Sequence, residues 1–305
     1  MSTTPVFTAC PLCGSARVGT IIPSLQKDVS LSGFRFVQCR DCGSFYEDTV
    51  TASDIESFYA SLGAYESASS KAGIAADLAR ALGLKGTERL LDLGCGSGAW
   101  SLPLLDFSGE ITCVDLGEAG LELLQQRVPA ADRGRLSVHS AHSLAFLQGL
   151  DAHSYDVVIS MFSLEHDLAP ASIVSEMHRV LKPGGRAVIL VPSADALQIR
   201  VCGAGFYWFQ APWHTCLPSE QGLRHVAQLA GFRHVTTFEP TDPFYSWFWI
   251  RAAADRLGYR ATYDDLRRHQ WLVRLDMAVD KLCDRVSWAL GRPSYRFYVL
   301  TRHAS

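Results

Sequence analysis

The sequence lacks a long apolar run, the features of a signal peptide and an excess of positive charge. No stretch approaches the roughly 18 consecutive apolar residues of a spanning helix, and residues 1–10 lack a charged start and an apolar core. The 28 Lys and Arg are outnumbered by 31 Asp and Glu, which gives a formal net charge of −3. Domains that wrap nucleic acid usually carry a basic excess. We therefore expect a cytoplasmic protein for which nucleic acid is a disfavoured partner.

The cysteines do not form a disulfide framework. Nine is an odd number, and four of them form two Cys-x-x-Cys-Gly pairs while the other five are scattered. The pairs are Cys10/Cys13 and Cys39/Cys42. Two such knuckles supply four thiolates for a tetrahedral zinc ion with no open coordination position. The pattern predicts a small structural zinc ribbon over residues 1–50.

The remainder, residues 51–305, alternates short apolar runs with helical segments after a helical linker at 51–86. The runs are Arg89–Leu93, Glu110–Asp115, Arg135–His139, Tyr155–Ser160, Arg186–Val191, Phe232–Phe238 and Tyr295–Thr301. This alternation predicts an α/β domain with a seven-stranded, mostly parallel sheet and helices on both faces. An aromatic-rich loop at 193–218 follows the fifth run, and a helical insert at 244–291 precedes the last.

The first run breaks into a glycine-rich turn that opens a helix. Its glycines are Gly94, Gly96 and Gly98. Asp115 ends the next run about twenty residues later, where a carboxylate can accept hydrogen bonds from ribose hydroxyls. Both features fit NAD as well as S-adenosylmethionine. Asp92, inside the strand before the turn, would repel a pyrophosphate but suits a cofactor that carries a sulfonium and an ammonium group.

Residues 91–98, Leu-Asp-Leu-Gly-Cys-Gly-Ser-Gly, resemble the first motif of the class I S-adenosylmethionine-dependent methyltransferases. Residues 155–166 and 176–185 resemble the family's fourth strand and its turn into strand five. The resemblance implies a Rossmann-like fold with S-adenosylmethionine as cofactor. It implies cofactor contacts by Asp92, Gly94, Cys95, Gly96, Gly98, Asp115, Leu116, Ser140, Ala141 and Met161. The family commonly has an acidic residue after strand three, which residues 139–146 lack. The adenine would therefore be hydrogen-bonded by Ser140 or by backbone amides.

The ribbon makes the chain similar to bacterial methyltransferases associated with sugar and polysaccharide modification. That resemblance implies methyl transfer to a small-molecule acceptor, with a hydroxyl of a glycan or secondary metabolite favoured over nitrogen or carbon. Two alternatives stay open. One is an RNA methyltransferase, suggested by the ribbon and the basic C-terminal segment, and the other is a non-catalytic binding module that keeps the fold.

An alcohol acceptor needs a base to remove its proton, and two histidines are candidates. His166 lies just past the fourth run, in the loop that faces the methyl group in the related fold. His214 ends the aromatic stretch at 205–214, which could pack on a sugar or a planar acceptor. Each has a plain alternative: His166 can cap or pack the next helix, and the aromatic stretch can be a hydrophobic plug.

The insert at 244–291 combines aromatic, basic and apolar residues. From Phe244 onward eleven Lys and Arg face six Asp and no Glu. Its tryptophans are Trp247, Trp249, Trp271 and Trp288, and its second helical segment spaces Leu272, Leu275, Val279, Leu282 and Val286 three and four residues apart. Such a segment could cover the acceptor, contact an anionic membrane surface, or form a homodimer interface or an extra core layer.

Overall fold

The computed structural model of the chain describes residues 5–23, 33–61, 71–241, 249 and 270–304. The chain divides into two units, each assembled from segments that are distant in sequence. The ribbon unit comprises Met1–Ile55, Pro192–Leu223 and Phe244–Tyr295, and the sheet unit comprises Glu56–Val191, Arg224–Pro243 and Arg296–Ser305.

The described residues form strands and helices along the whole chain. The strands are β1 (Val18–Pro23), β2 (Arg35–Cys39), β3 (Phe45–Glu47), β4 (Arg89–Leu93), β5 (Glu110–Asp115), β6 (Leu136–Ser140), β7 (Tyr155–Met161), β8 (Leu181–Pro192), β9 (Cys216–Leu217), β10 (His234–Phe238) and β11 (Tyr295–Thr301). The helices are α1 (Ala52–Ser61), α2 (Ala72–Leu82), α3 (Ser101–Leu104), α4 (Glu118–Arg127), α5 (Ser143–Gln148), α6 (Pro170–Val180), α7 (Leu197–Cys202), α8 (Glu220–Leu229) and α9 (Gln270–Ala289). Local sequence sets several of these ends. For example, α2 stops where Gly83 takes a left-handed φ of 59°.

Seven strands form one large sheet in the order β10–β11–β8–β7–β4–β5–β6. The pairs β4–β5, β5–β6, β4–β7 and β7–β8 are parallel, and β10–β11 is antiparallel. The predicted seven-stranded, mostly parallel sheet is therefore confirmed, and each predicted run is a strand. Their ends differ by a few residues, most at β8, which begins at Leu181 because that residue already pairs with Tyr155 of β7.

The strand order reverses beside β4. Along the chain β5 and β6 follow on one side of β4, whereas β7 and β8 lie on its other side. In open parallel sheets, ligands bind outside the carboxyl ends of the strands at such a reversal. The loops that follow β4 and β7 are therefore the first place to look for a site.

The ribbon unit has a four-stranded sheet in the order β1–β2–β3–β9. Strand β9 comes from the segment after the large sheet's fifth strand, so the ribbon sheet is completed by residues far from its own knuckles. Its apolar cluster joins Phe36 and Phe45 from the ribbon to Phe206, Phe209 and Leu217. About fifty residues with three short strands bury too little apolar area alone, which explains why the ribbon takes a strand and two phenylalanines from elsewhere.

The insert before the last strand is described as α9 and residue Trp249. Trp247 and the first predicted helical segment lie outside the described residues. Among the helices that the structure describes, none is long and apolar enough to cross a lipid bilayer.

Candidate cofactor and acceptor site

The turn after β4 requires glycine at three positions. Gly94, Gly96 and Gly98 have φ values of +73°, +51° and +80°, a region that residues with a Cβ rarely adopt. A Cβ on Gly98 would also lie 2.3 Å from Leu124 Cδ1. The backbone can therefore turn tightly above the strand and approach a ligand closely.

The loop after β7 packs directly on this turn. A Cβ on Gly94 would lie 2.1 Å from the hydroxyl oxygen of Ser163. The residue before, Phe162, has a positive φ of 54°, which is uncommon for a bulky side chain and is found most often at functional sites. His166 is half-buried in the same loop, and its backbone N–H donates to the Ser163 carbonyl at 3.0 Å. The loops after β4 and β7 thus meet at the reversal point of the sheet.

Asp92 is a buried carboxylate with one oxygen left over. Its side chain is 1% exposed, and its Oδ2 accepts a hydrogen bond from the Ser101 hydroxyl. Its Oδ1 is buried and has no hydrogen-bond partner. Burial raises the pKa of Asp92 to about 7, against the opposing effect of the Ser101 hydrogen bond. A buried acceptor without a partner is costly, and a ligand ammonium group would satisfy it.

Asp115 closes the other side of the turn. Its Oδ2 accepts the Gly96 N–H at 2.8 Å and its Oδ1 accepts the Gly117 N–H at 2.7 Å. Each carboxylate oxygen can accept a second hydrogen bond, so ribose hydroxyls can still be bound. Ser140 pairs with Asp115 in the sheet register, and the Ala141 N–H donates to the Asp115 carbonyl at 3.0 Å. The structure therefore brings the residues predicted for ribose and adenine together, with Leu116 half-exposed beside Asp115.

Cys95 and Met161, two further predicted contact residues, are buried next to this turn. The Cys95 N–H donates to the Val114 carbonyl at 3.1 Å, and Met161 ends β7 with 4% exposure. A hydrogen bond with Cys113, reinforced by burial, raises the pKa of the Cys95 thiol well above its usual range. A thiol that keeps its proton is a poor nucleophile, so Cys95 is unsuited to covalent chemistry, and its cofactor contact stays a prediction.

Sequence reasoning missed Glu165 as a candidate polar residue of the site. Its side chain is fully buried, and desolvation raises its pKa to about 8, so it holds its proton at neutral pH. The available signal was a carboxylate four residues past the end of a core strand, next to the apolar Leu164.

The two candidate bases belong to different units. His214, in the ribbon unit, is 3% exposed, and its ring stacks on Trp208 at a centroid distance of 5.7 Å. Its Nδ1 lies 2.7 Å from the Trp208 carbonyl oxygen. Because a carbonyl can only accept, Nδ1 carries the proton, and Nε2 is the basic nitrogen of the neutral ring. His166 belongs to the sheet unit, in the loop beside the glycine turn.

The aromatic stretch at 205–214 divides into buried and accessible residues. Phe206 and Phe209 lie in the core of the ribbon unit, as the hydrophobic-plug alternative predicts. Tyr207 is 39% exposed, and Trp213 is half-buried with its indole N–H donating to Gln210 Oε1 at 2.7 Å. Tyr207 and Trp213, together with the half-buried Trp208, are therefore the aromatic residues of this stretch that can contact an acceptor.

The four predicted metal ligands converge. The sulfurs of Cys10, Cys13, Cys39 and Cys42 all lie within 4.8 Å of one another. The shortest separations join the two knuckles, at 3.6 Å for Cys10–Cys42 and 3.5 Å for Cys13–Cys39. Four sulfurs at the usual zinc–sulfur distance of about 2.3 Å form a tetrahedron with edges of about 3.8 Å. The donor set therefore fits a tetrahedral zinc ion.

The two knuckles share one backbone pattern. The Gly14 N–H donates to the Cys10 carbonyl at 2.8 Å, and the Gly43 N–H donates to the Cys39 carbonyl at 2.9 Å. Both glycines have a positive φ, 71° and 78°. The second knuckle is also held by β9's neighbour Ser219, whose N–H donates to the Ser44 hydroxyl at 3.0 Å.

Comparison with known proteins agrees with this arrangement. Residues 91–189 match the family model described as a methyltransferase domain. The chain is 35% identical over 99 residues to a ubiquinone biosynthesis O-methyltransferase of Nitrosococcus oceani, a match that covers 32% of this chain and 41% of that protein. It is 32% identical over 124 residues to a demethylmenaquinone methyltransferase of Geobacillus kaustophilus, covering 40% and 52%. The chain thus spans about half the length of these curated relatives or less.

Two solved structures share the fold. The cyclase SpnF superposes with a TM-score of 0.50 at 20% identity, covering 80% of this chain and 86% of that one. A phosphoethanolamine N-methyltransferase 2 of Haemonchus contortus, in complex with S-adenosylhomocysteine, superposes with a TM-score of 0.50 at 17% identity, covering 75% and 52%. Residues 91–189 are thus similar to a methyltransferase domain, and the seven-stranded sheet that contains them has a Rossmann-like fold.

Proposed function

We propose that the protein transfers a methyl group from S-adenosylmethionine to a hydroxyl of a small-molecule acceptor. The observation that carries this proposal is the buried Asp92 Oδ1, which has no hydrogen-bond partner beside a turn of three left-handed glycines. The fold alone would not suffice, because one structure with this fold is that of a cyclase. The names of the curated relatives support methyl transfer and, for one, transfer to oxygen.

The chain's residues divide the binding of this cofactor among them. Asp92 attracts the ammonium group, and Asp115 accepts hydrogen bonds from the ribose hydroxyls. The backbone around Ser140 and Ala141 contacts the edge of the adenine ring. The cofactor, when bound, supplies a methyl group on a cationic sulfur. The protein then has to align the acceptor oxygen with that methyl group and remove the hydroxyl proton.

We assign proton removal to a histidine, with His214 and His166 as the two candidates. The Trp208 carbonyl fixes the His214 ring in the tautomer whose Nε2 is basic, as a base requires. His166 is supported by its place in the loop that packs on Gly94 through Ser163. Substituting each one separately, with the acceptor in hand, distinguishes them.

For the acceptor we propose a glycan or a secondary metabolite with a flat or ring-shaped face. Tyr207 and the half-buried Trp208 and Trp213 offer aromatic surfaces with polar tips, which suit either a sugar ring or a planar compound. The relatives' names, which refer to quinones, favour a planar metabolite, whereas the ribbon favours a glycan.

The zinc ion is proposed as structural. Four thiolates would leave it no open position, so it would supply cross-linking of the two knuckles and no chemistry on the acceptor. RNA as acceptor and a non-catalytic binding module remain the weaker alternatives. The net charge of −3 disfavours the first, and the glycine turn with both carboxylates disfavours the second. Homodimer formation and membrane contact are predictions that concern α9.

The test is methyl transfer from S-adenosylmethionine labelled in its methyl group. Phenols, quinols, sugar nucleotides and RNA are offered separately, with Asp92→Asn protein as the blank. We expect label in one of the small-molecule classes with wild-type protein and none with the variant. Label in RNA alone would contradict the proposed acceptor, and no transfer to any class or to a bacterial extract would contradict the activity.

A further inference from the structure

Among the large apolar side chains that the structure describes on helix α9, three are exposed. Leu275, Leu282 and Val286 are 48%, 63% and 44% exposed, and Leu290, just past the helix, is 60% exposed. With 3.6 residues per turn these four positions lie on one side of the helix. We call them the α9 stripe. A stripe of this kind is normally the face that a surface helix turns toward its own core.

The opposite side of α9 is polar and buried. Asp280 and Asp284 are each 3% exposed, and Ser287 is fully buried. Asp280 Oδ1 accepts the backbone N–H of Trp249 at 2.9 Å, and Asp284 Oδ1 accepts the indole N–H of the same residue at 3.1 Å. Turning the stripe inward would break both bonds and expose Trp249. These two hydrogen bonds therefore fix the rotation of α9 that leaves the stripe exposed.

The charged side chains that the structure describes beside the stripe are basic. The exposed charged residues that the structure describes on α9 are Arg274, Lys281 and Arg285, because Asp280 and Asp284 face inward. Their spacing of seven and four residues places them in one row, about a quarter turn from the stripe. An apolar stripe with a row of cations at its edge is the pattern of a helix that lies in the interface of an anionic bilayer.

We propose that this face of α9 binds the surface of a membrane that contains anionic lipid. The stripe enters the boundary between headgroups and acyl chains, and the basic row pairs with lipid phosphates. A second copy of α9 could bury the stripe. It would not pair with the basic row, because none of the described side chains of α9 is an exposed carboxylate. The proposal does not depend on methyl transfer, since it concerns a surface of the ribbon unit that the cofactor residues do not share.

The experiment is flotation of the full chain with vesicles of phosphatidylcholine, with or without phosphatidylglycerol, at low and at physiological salt. Three proteins carry the test: wild type, the stripe variant Leu275→Ser/Leu282→Ser, and the row variant Arg274→Gln/Lys281→Gln/Arg285→Gln. The matched controls are Leu229→Ser, which changes a leucine of α8 that is 75% exposed, and Arg133→Gln, which removes an exposed cation elsewhere. Because every changed side chain is exposed, thermal melts should coincide with wild type.

We expect wild type and both controls to float with phosphatidylglycerol vesicles and not with phosphatidylcholine alone, and less at higher salt. Each basic residue near an anionic surface contributes about five-fold in binding, so the row variant should lose on the order of a hundred-fold. The stripe variant should lose at least about ten-fold, because two leucine side chains no longer leave water.

Three outcomes would overturn the proposal. Wild type that stays at the bottom of the gradient at low salt excludes the contact. Flotation that the stripe variant retains in full shows that the stripe does not enter the bilayer. A wild-type dimer in sedimentation velocity that the stripe variant converts to a monomer, without flotation of either, assigns the face to a second copy of the chain.

Discussion

Replacing Asp92 by Asn removes a buried charge and keeps the shape of the side chain. The amide oxygen can still accept the Ser101 hydroxyl, so the hydrogen bond of Oδ2 survives in the variant. What changes is the response to pH. In wild type, burial holds the pKa of Asp92 at about 7 in the folded protein, against an ordinary value of 3.8.

The sign of the effect follows from proton binding. Between about pH 4 and pH 7 the folded protein keeps a proton on Asp92 that the unfolded chain has lost, so stability falls as pH rises through this window and levels off above it. Each pH unit is worth about 1.4 kcal/mol, and the shift of about three units amounts to about 4 kcal/mol. Asn carries no such loss. We therefore expect the unfolding free energy of the variant to increase relative to that of wild type as pH rises, most steeply below pH 7.

Urea unfolding followed by tryptophan fluorescence, from about pH 5 to about pH 8, measures the gap in unfolding free energy between the two proteins. The control is Asp106→Asn, which makes the same substitution at an exposed carboxylate of the same unit. At the same time Asp92→Asn should lose most of its affinity for S-adenosylhomocysteine, because an amide does not attract an ammonium group as a carboxylate does. A gap that is constant with pH would contradict the raised pKa of Asp92. Undiminished binding by the variant would contradict its role in holding the ammonium group.

Three further predictions follow from the glycine turn, the ribbon and the base. Gly98→Ala should cost about 2–3 kcal/mol of stability and most of the cofactor affinity, because a Cβ there is strained at φ +80° and meets Leu124. The control is Gly134→Ala, which has open space around it and should be nearly neutral. Denaturation measures the stability and calorimetry the affinity. Cys39→Ser should abolish a zinc content of about one per chain in elemental analysis while Cys283→Ser retains it; equal zinc in both would contradict the ribbon assignment. If His214 is the base, His214→Asn should lower kcat about 10²–10⁴-fold with unchanged S-adenosylhomocysteine affinity, and a loss confined to KM would point to packing instead.

Much of the sheet unit could be predicted because its signals are local. The glycines after β4 carry a backbone requirement that a sequence displays directly, and alternation of apolar runs with helices gives the strand count. The contacts that complete the site are not local. Ser163 packs on Gly94 from the loop after β7, far away in sequence, and nothing in the neighbourhood of Ser163 indicates this partner. Ser101 lies only nine residues after Asp92, but their hydrogen bond depends on how the turn places α3 against β4.

The ribbon and the insert show where periodicity alone falls short. The spacing of the knuckles predicts four converging sulfurs, but not that β9 and two phenylalanines from the aromatic stretch would complete the ribbon's core. Periodicity located the apolar residues of α9 and was silent on which side they face. Trp249, Asp280 and Asp284 decide that, because their buried hydrogen bonds fix the rotation of the helix.

Isothermal titration of S-adenosylhomocysteine into the purified, zinc-loaded protein above pH 7 decides whether the carboxylate-flanked glycine turn binds this nucleoside. At that pH Asp92 is ionised and no proton has to be displaced before the ammonium group binds. We expect saturable binding at one site per chain, with affinity that weakens by up to about ten-fold for each pH unit below 7. A folded protein that gives no binding heat at any pH, together with an unchanged melting temperature at saturating ligand, would contradict it.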